Sequence, residues 1–264
     1  MSRQEHQASK REQRINKEEL IGGRQAVFEA LRFGKPHRII IAEAQKGSII
    51  EDITTLAGEK AVRIELLSKA EFNSIAGHIP GNQGVAAAVA PFRYLALAEI
   101  ISLAKSSSKK PFLLMLDHIE DPHNLGAVMR TADAAGLDGL IIPNQRAVAV
   151  NATVRKVAAG AAERIPVAMV SNLNQAAGTL KKEGFWLYGA EAGGDREYYH
   201  ADYSLPLVLV IGSESKGISR LLRQNCDLLL SIPMPGAAAG SLNVSAAAAV
   251  FIYTALSLRE GWLS

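Results

Sequence analysis

The sequence predicts two α/β domains, the second of them built on a mostly parallel sheet. Two features lead to this prediction. From residue 111 onward, short uninterrupted apolar runs alternate with helix-length segments, which is typical of parallel strands covered on both faces. Before that point, a smaller set of apolar runs gives way to a polar, basic stretch at residues 105–110. We therefore predict a charged arm, a small domain, a linker and a larger domain over residues 1–20, 21–92, 93–110 and 111–264.

The small domain is predicted to begin with a helix and to continue as alternating strands and helices. Apolar residues recur at helical spacing after Gly23 and stop at Gly34. The apolar runs that follow are bounded by turn-forming residues, as strands are. They predict a helix at residues 49–56 and strands at residues 38–42, 62–66 and 84–89.

The larger domain is predicted to hold six strands, preceded by a helix at residues 95–104. Ligands in open parallel sheets bind beyond the carboxyl ends of the strands. We therefore expect the ligand-binding loops to follow Leu116, Gly189, Ile211 and Ile232, with Gly189 itself near the ligand. The six predicted strands are residues 112–116, 139–142, 167–170, 186–189, 207–211 and 228–232.

Composition and charge narrow the class of protein. Hydrophobic residues make up 48% and charged residues 21%, which is ordinary for a globular chain and unlike a disordered one. The net charge of +3 permits an anionic partner without requiring one. The single cysteine, Cys226, excludes a disulfide framework and a cysteine-based zinc cluster, and it fits a buried core position. The longest apolar run, residues 246–258, is too short for a bilayer, so we expect a cytoplasmic protein with no membrane contact.

The loop after the first strand of the larger domain is rich in polar residues. Asn124 stands where the N-cap of the following helix is expected, and Arg130 lies six residues further along that helix. Carboxylates and imidazoles in the same loop could ligate a metal, but their spacing matches no known metal-binding pattern. We therefore expect no metal here, and we expect Arg130 to point back toward the loop.

Two later loops complete the set of candidate ligand-binding segments. In residues 211–217, glycines allow close backbone approach to a ligand, but Lys216 precedes Gly217, so the order required for a phosphate-binding P-loop is absent. No dinucleotide-binding glycine motif follows the strand at residues 112–116 either. In the last loop, Ser241 and Asn243 are possible caps of an alanine-rich helix that is apolar on more than one face.

These loops together resemble the signature of the SpoU family of RNA ribose 2′-O-methyltransferases. The resemblance is borne by residues 121–132, 211–217 and 232–245, three ordered motifs at strand ends. It extends well over residues 111–264 and more loosely over residues 23–92, which resemble the family's ribosomal-protein-like RNA-binding domain. The resemblance implies a trefoil-knotted, mostly parallel-sheet α/β methyltransferase domain, S-adenosylmethionine as cofactor, and a homodimer formed through the knotted domain and the C-terminal helix.

The resemblance also implies roles for individual residues. Cofactor contacts are implied at Gly212, Ile232 and Leu242. The family assigns the role of base to the arginine that matches Arg130, but a guanidinium keeps its proton above a pH of about 12. We therefore interpret Arg130 as a clamp that binds phosphate and stabilises developing alkoxide charge. The implied catalytic neighbourhood is Asn124, Arg130, Glu214, Ser241 and Asn243.

The substrate implied by the resemblance is a guanosine of large-subunit (23S) ribosomal RNA, with transfer RNA as the alternative. A protein of another class, a non-catalytic RNA-binding factor for ribosome assembly, is a further alternative, and the three intact motifs argue against it. In the small domain, Arg24, Lys35 and Arg38 lie near the first predicted helix and strand. We interpret these residues as a basic cluster suited to RNA phosphates.

Overall fold

The computed structural model describes residues 19–107, 109–236 and 241–262. Within them the chain forms two compact units. The first unit comprises the described part of residues 1–92 together with residues 150–163, and the second comprises residues 93–149 and the described part of 164–264. The arm predicted for residues 1–20 lies outside the described residues except at its end. Among the described residues, no helix is both long enough and apolar enough to cross a bilayer.

The first unit is built on a mixed four-stranded sheet with strand order β1-β4-β2-β3. Strand β4 is antiparallel to both of its neighbours, and β2 and β3 are parallel. The predicted strands and both predicted helices are confirmed to within three residues at each end. The elements are β1 (Glu19–Gly22), α1 (Arg24–Phe33), β2 (Arg38–Ala42), α2 (Ser48–Glu59), β3 (Arg63–Leu67), α3 (Lys69–Ala76) and β4 (Val85–Val89).

Two elements of this unit are absent from the prediction. Residues 19 and 20, assigned to the arm, belong to β1, because the edge of the sheet offers β4 as a hydrogen-bonding partner and Ile21 is buried in the core. Helix α3 begins with a capping box, in which the Ser68 hydroxyl and the Glu71 carboxylate accept hydrogen bonds from each other's backbone N–H groups. That Ser-x-x-Glu spacing is visible in the sequence and could have identified the helix.

Residues 150–163 belong to the first unit although they were predicted to lie in the larger domain. Helix α6 (Ala152–Ala158) buries Val154, Ala158 and most of Arg155. The Arg155 guanidinium lies 5.7 Å from the centroid of the Phe92 ring and donates a hydrogen bond to the carbonyl of Ala90 at 3.2 Å. These buried contacts place α6 in the first compact unit, whereas the predicted domain of residues 111–264 includes it.

The second unit is built on a seven-stranded sheet in which every pairing is parallel. The strand order is β7-β6-β5-β10-β8-β11-β9. All six predicted strands are confirmed, and the two-residue strand β9 was missed. Including α6, which lies within this stretch of sequence, the elements are α4 (Leu97–Ser106), β5 (Phe112–Leu116), α5 (Pro122–Ala134), β6 (Gly139–Pro143), β7 (Val167–Val170), α7 (Leu173–Lys182), β8 (Trp186–Ala190), β9 (Arg196–Glu197), β10 (Leu207–Ile211), α8 (Arg220–Asn225), β11 (Leu228–Ser231) and α9 (Val244–Arg259).

The stretch predicted as a linker contains part of the core of the second unit. The predicted helix is present there as α4, and its residues Ile100, Ile101 and Ala104 are buried in one cluster with strands β5 and β6. Its outward residue Leu103 is 50% exposed. Residues 93–110 therefore do not form a flexible linker, because α4 covers one face of the seven-stranded sheet.

We expect the two sides of α4 to respond differently to truncation. Ile100→Ala should lower the free energy of unfolding by about 2–5 kcal/mol, because it opens a cavity in a fully buried cluster. The matched control, Leu103→Ala on the exposed side, should change it by less than about 0.5 kcal/mol. Urea unfolding followed by circular dichroism measures both values, and equal effects would contradict the assignment of α4 to the core.

Candidate active site

The loops predicted to bind a ligand follow four strands that are neighbours in the sheet. Strands β5, β10, β8 and β11 lie side by side, with Leu116 opposite Ile211, Ile211 opposite Ala190, and Ala190 opposite Leu230. From β5 the chain proceeds outward through β6 and β7 and then returns to the other side of β5. The strand order therefore reverses at β5, which is where ligands bind in open parallel sheets.

A cavity of about 420 Å³ lies at these strand ends in the second unit. Its volume is in the range of sites for small molecules and cofactors. Its walls combine apolar side chains with the polar loop that follows β10. The lining residues on which the argument below depends are Glu191, Gly212, Gly217, Ile232, Ser241 and Leu242.

The loop after β10 is closed on itself at Gly212. The backbone N–H of Gly217 donates to the carbonyl of Ser213 at 2.8 Å. A Cβ atom at Gly212 would lie only 2.0 Å from the carbonyl carbon of Gly217. Glycine is thus required at 212 because the loop folds back against it.

A hydrogen-bonded cluster joins three of the loops beside this cavity. The Asn243 side-chain amide donates to Asn124 Oδ1 at 3.0 Å and to Glu214 Oε1 at 2.7 Å. Glu214 Oε1 also accepts from the backbone N–H of Val244 at 3.0 Å. Asn243 Oδ1 accepts from the backbone N–H of Ser245 at 2.9 Å. Asn124, Glu214 and Asn243, which the resemblance placed in one neighbourhood, are therefore in direct contact.

The helix caps differ in part from those predicted. Asn243 caps α9, as predicted. Asn124 does not cap α5, because that helix begins earlier, at Pro122, and its N-cap is Asp121, whose carboxylate accepts from the backbone N–H of His123 at 2.9 Å. Asn124 therefore lies inside the first turn, and its side chain is available for Asn243. Ser241 caps no helix and lies at the cavity wall.

Arg130 does not reach this cluster. It is exposed on α5, and no hydrogen bond or ion pair joins its side chain to any residue within the described ranges. Six residues along an α-helix correspond to a rotation of about 120° away from Asn124, so the two residues lie on different faces of α5, and the orientation of Arg130 toward the loop stays a prediction. The Glu214 carboxylate accepts hydrogen bonds from Asn243 and Val244, and so it holds the start of α9.

The predicted cofactor residues are placed at the cavity with one exception. Gly212, Ile232 and Leu242 line it. Gly189 is buried one residue before the wall of the cavity, and a Cβ atom there would meet Leu229, Cys226 and Ile218. Residues 190–192 line the cavity instead. Cys226 packs against the core as predicted, and burial raises the pKa of its thiol to about 12.

Two further residues at the strand ends are absent from the predicted site residues. Asp117 directly follows β5, is 4% exposed, and accepts a hydrogen bond from the backbone N–H of Ser219 at 2.8 Å. It thereby ties the loop after β5 to the loop after β10. Glu191 directly follows β8 and lines the cavity. An acidic residue immediately after an apolar strand was the signal available for both.

The basic residues predicted to contact RNA do not form one cluster in the first unit. Arg24 begins α1, whereas Lys35 lies beyond its other end, and a ten-residue helix is about 15 Å long. Arg38 forms an ion pair with Glu65 at 2.9 Å across strands β2 and β3. The predicted cluster is therefore wrong as a single patch, because the helix separates its members.

Arg24 instead lies among residues from other segments of the first unit. Its guanidinium donates to the side chain of Gln45 at 2.8 Å and to the carbonyl of Lys46 at 3.2 Å. Its backbone N–H donates to the side chain of Gln83 at 3.2 Å. The Lys156 ammonium donates to the carbonyl of Pro80 at 3.0 Å, in the same turn as Gln83. Arg24 and Lys156 thus both contact this turn, and Lys46 lies in the segment that the Arg24 guanidinium binds.

Comparison with known proteins identifies the class of protein to which the chain belongs. Residues 111–253 match the model of the SpoU rRNA Methylase family, and residues 20–95 match the model for RNA 2′-O ribose methyltransferase substrate binding. The chain is thus an RNA methyltransferase with a substrate-binding domain ahead of its catalytic domain. A TrmH family tRNA/rRNA methyltransferase of Staphylococcus saprophyticus is 40% identical over 242 residues, covering 91% of this chain and 96% of that protein. The TrmH family protein YacO of Bacillus subtilis is 38% identical, covering 92% and 96%.

The chain therefore belongs to the SpoU rRNA methylase family. Its fold is similar to that of the SpoU methyltransferase AviRb of Streptomyces viridochromogenes in complex with AdoMet, with a TM-score of 0.76, 22% identity, and coverage of 93% of this chain and 92% of that one. The predicted fold class, a trefoil-knotted parallel-sheet domain behind a small RNA-binding domain, is confirmed. The predicted activity is confirmed as well: the protein is an S-adenosylmethionine-dependent RNA 2′-O-methyltransferase.

The volume and the lining of the cavity suit S-adenosylmethionine. Apolar walls at Ile232 and Leu242 suit an adenine ring, and the folded loop at Gly212 presents backbone groups to it. One oxygen of the Glu191 carboxylate is buried and accepts no hydrogen bond from the described residues, so it offers an acceptor to a ligand. The residues present can therefore hold the cofactor.

Asn243 both caps α9 and joins Asn124 to Glu214, so two substitutions can separate an effect on stability from an effect on methyl transfer. Asn243→Ser should keep the cap of α9 and so keep the melting temperature, but it loses the amide that donates to Asn124 and Glu214. Asn243→Ala should lose both, at a cost of about 1 kcal/mol for the cap. We expect methyl transfer to fall by more than about tenfold in both variants. Thermal unfolding and a tritiated-methyl transfer assay measure the two effects, and full activity of Asn243→Ser would refute the bridging role.

Proposed function

We propose that this enzyme methylates the ribose 2′-hydroxyl of a guanosine in large-subunit ribosomal RNA. The observation that carries this proposal is the contact of Asn124, Glu214 and Asn243 beside the cofactor cavity, in a chain that also has a substrate-binding domain. The cluster supplies positioned polar groups, and the domain supplies the means to select an RNA. Transfer RNA remains the alternative substrate.

The similarity of solved structures favours ribosomal RNA. A protein of Sinorhizobium meliloti named as an rRNA methyltransferase matches 94% of this chain with a TM-score of 0.72 and 25% identity. The A. aeolicus TrmH/SpoU tRNA modifying enzyme, with 27% identity and a TM-score of 0.53, matches only 63% of this chain. The solved structure named for tRNA alone thus matches less of the two-unit architecture.

The proposed catalysis rests on alignment together with stabilisation of charge. The chemistry that S-adenosylmethionine supplies when bound is a sulfonium methyl group already activated for transfer. Asn243 holds Asn124 and Glu214 in place, since both N–H groups of its amide are used. Ser241, at the cavity wall, presents a hydroxyl to the reacting groups. Arg130, exposed and unpaired within the described residues, binds the RNA phosphate and stabilises charge on the ribose oxygen as its proton leaves to solvent.

Arg130 therefore should be needed for turnover but not for folding. Arg130→Ala should leave the melting temperature and S-adenosylmethionine affinity unchanged and lower kcat/KM by about 100-fold or more, since its partner is RNA. Arg130→Lys should recover only part of the activity if two-pronged contact with phosphate matters. Single-turnover methyl transfer and calorimetry measure these effects, and near-normal turnover of Arg130→Ala would show that it is an ordinary surface charge.

Mapping the 2′-O-methyl groups of cellular RNA identifies the substrate. We expect one 2′-O-methylguanosine in large-subunit ribosomal RNA to disappear from cells that lack the protein and to return with the intact gene but not with Arg130→Ala. Loss of a methyl group from transfer RNA would establish the alternative substrate. Cofactor binding without loss of any methyl group would instead support a non-catalytic assembly factor.

We propose that RNA contacts the first unit at the turn of residues 80–84, which Arg24 and Lys156 contact, together with Lys46 from the segment that Arg24 binds. Cations near phosphates release counterions, so removing them lowers the salt dependence of binding. The variant Lys46→Gln with Lys156→Gln should weaken RNA binding and flatten the dependence of the affinity on salt. Lys35→Gln, beyond the other end of α1, is the matched control and should change neither. A larger effect of the control would place the contact at the other end of the unit.

We further propose a homodimer and a cytoplasmic location. Helix α9 carries an apolar strip that is not buried, formed by Ala246, Ala249, Val250 and Tyr253 at helical spacing. Such a strip needs a partner surface, and twofold pairing of identical helices supplies one. A location beside the ribosome follows from the proposed substrate, and the lone cysteine suits a reducing compartment. Light scattering that finds only monomers at micromolar concentration would contradict the dimer.

A further inference from the structure

The acidic residue that follows β8 has an acceptor oxygen for which no particular ligand group has been named so far. Glu191 lines the cofactor cavity, and its backbone N–H donates to the carbonyl of Leu230 at 2.9 Å, which fixes the start of its side chain. Its Oε2 atom is buried and accepts no hydrogen bond from the described residues. A buried carboxylate oxygen without a donor is costly, so this position indicates a bound group that supplies one.

The surrounding residues narrow what that group is. Glu214, the other acidic residue of the cavity, is occupied by Asn243 and Val244. Lys216 is the basic side chain among the residues that line the cavity; it is 63% exposed, and its ammonium lies 4.0 Å from Glu120. A Cβ atom at Gly217 would lie 3.7 Å from the Glu191 carboxylate, so glycine there leaves the carboxylate uncovered. Glu191 is therefore the acceptor that remains for a ligand.

We propose that Glu191 is a cofactor-specificity residue that binds the ribose diol of S-adenosylmethionine. An ionised carboxylate has two acceptor oxygens and no donor, and two adjacent hydroxyls supply two donors. The ammonium group of the same cofactor is also a donor, but burying it would desolvate a second charge, whereas the diol is neutral. The carboxylate of the cofactor would be repelled. The diol is thus the group that satisfies Glu191 at the lowest desolvation cost.

Binding measurements test this without RNA or methyl transfer. Calorimetry compares S-adenosylmethionine, 5′-methylthioadenosine and its 2′-deoxy counterpart; the second ligand keeps the ribose and lacks the ammonium. Glu191→Ala should lower the affinity for the first two ligands by the same factor, about 10-fold or more. The 2′-deoxy ligand should bind the wild type more weakly but lose less on mutation, because the partner hydroxyl is already gone. Glu191→Gln, which keeps the shape and one acceptor, should lose less affinity than Glu191→Ala.

The control is Asp195→Asn, which removes the same charge from an exposed position in the same loop outside the cavity, and it should bind all three ligands normally. Unchanged melting temperatures of the Gln and Asn variants establish that they fold. Unchanged affinity in both Glu191 variants would overturn the proposal. A loss confined to S-adenosylmethionine would overturn it as well and would assign Glu191 to the ammonium. Since RNA is absent, an error in the proposed nucleotide substrate would leave this result unaffected.

Discussion

The arrangement of the active site depends on one side-chain amide. Asn243 uses its two N–H groups on Asn124 and Glu214, and its oxygen on the first turn of α9. It thereby joins the segments that follow β5, β10 and β11. A smaller or non-donating residue at this position can hold only part of that set, so the separation between the loops is determined by a single planar group.

The parallel sheet that brings these loops together was predictable from the sequence. Uninterrupted apolar runs such as 112–116 and 207–211 have few alternatives to a strand buried on both faces, and parallel strands necessarily end at the same edge. Because ligands bind beyond strand ends, polar residues just after them are candidates for a site, and the structure brings Asn124, Glu214 and Asn243 into contact there. The order of the strands was not predictable from periodicity, and the knot required the resemblance to a known family.

The remaining disagreements have two physical causes. The cap of α5 was misplaced by local geometry, because an earlier cap at Asp121 shifts the helix start. The basic cluster was misplaced by long-range contacts. Proximity in sequence joined Arg24 with Lys35, whereas folding joins Arg24 with a turn near residue 83. Such contacts carry no local signal, whereas Glu191 had one in its place directly after an apolar strand.

The incorporation of residues 150–163 into the first unit has a consequence for how the chain folds during synthesis. Domains that are continuous in sequence can finish folding as soon as they leave the ribosome. Here the N-terminal unit lacks α6, with its buried Val154 and Arg155, until residue 163 has emerged, by which time β5 and β6 of the second sheet are already outside. The first unit therefore completes its core only after part of the second sheet has been synthesised, and the second unit is completed later by the strands and helices that follow residue 163.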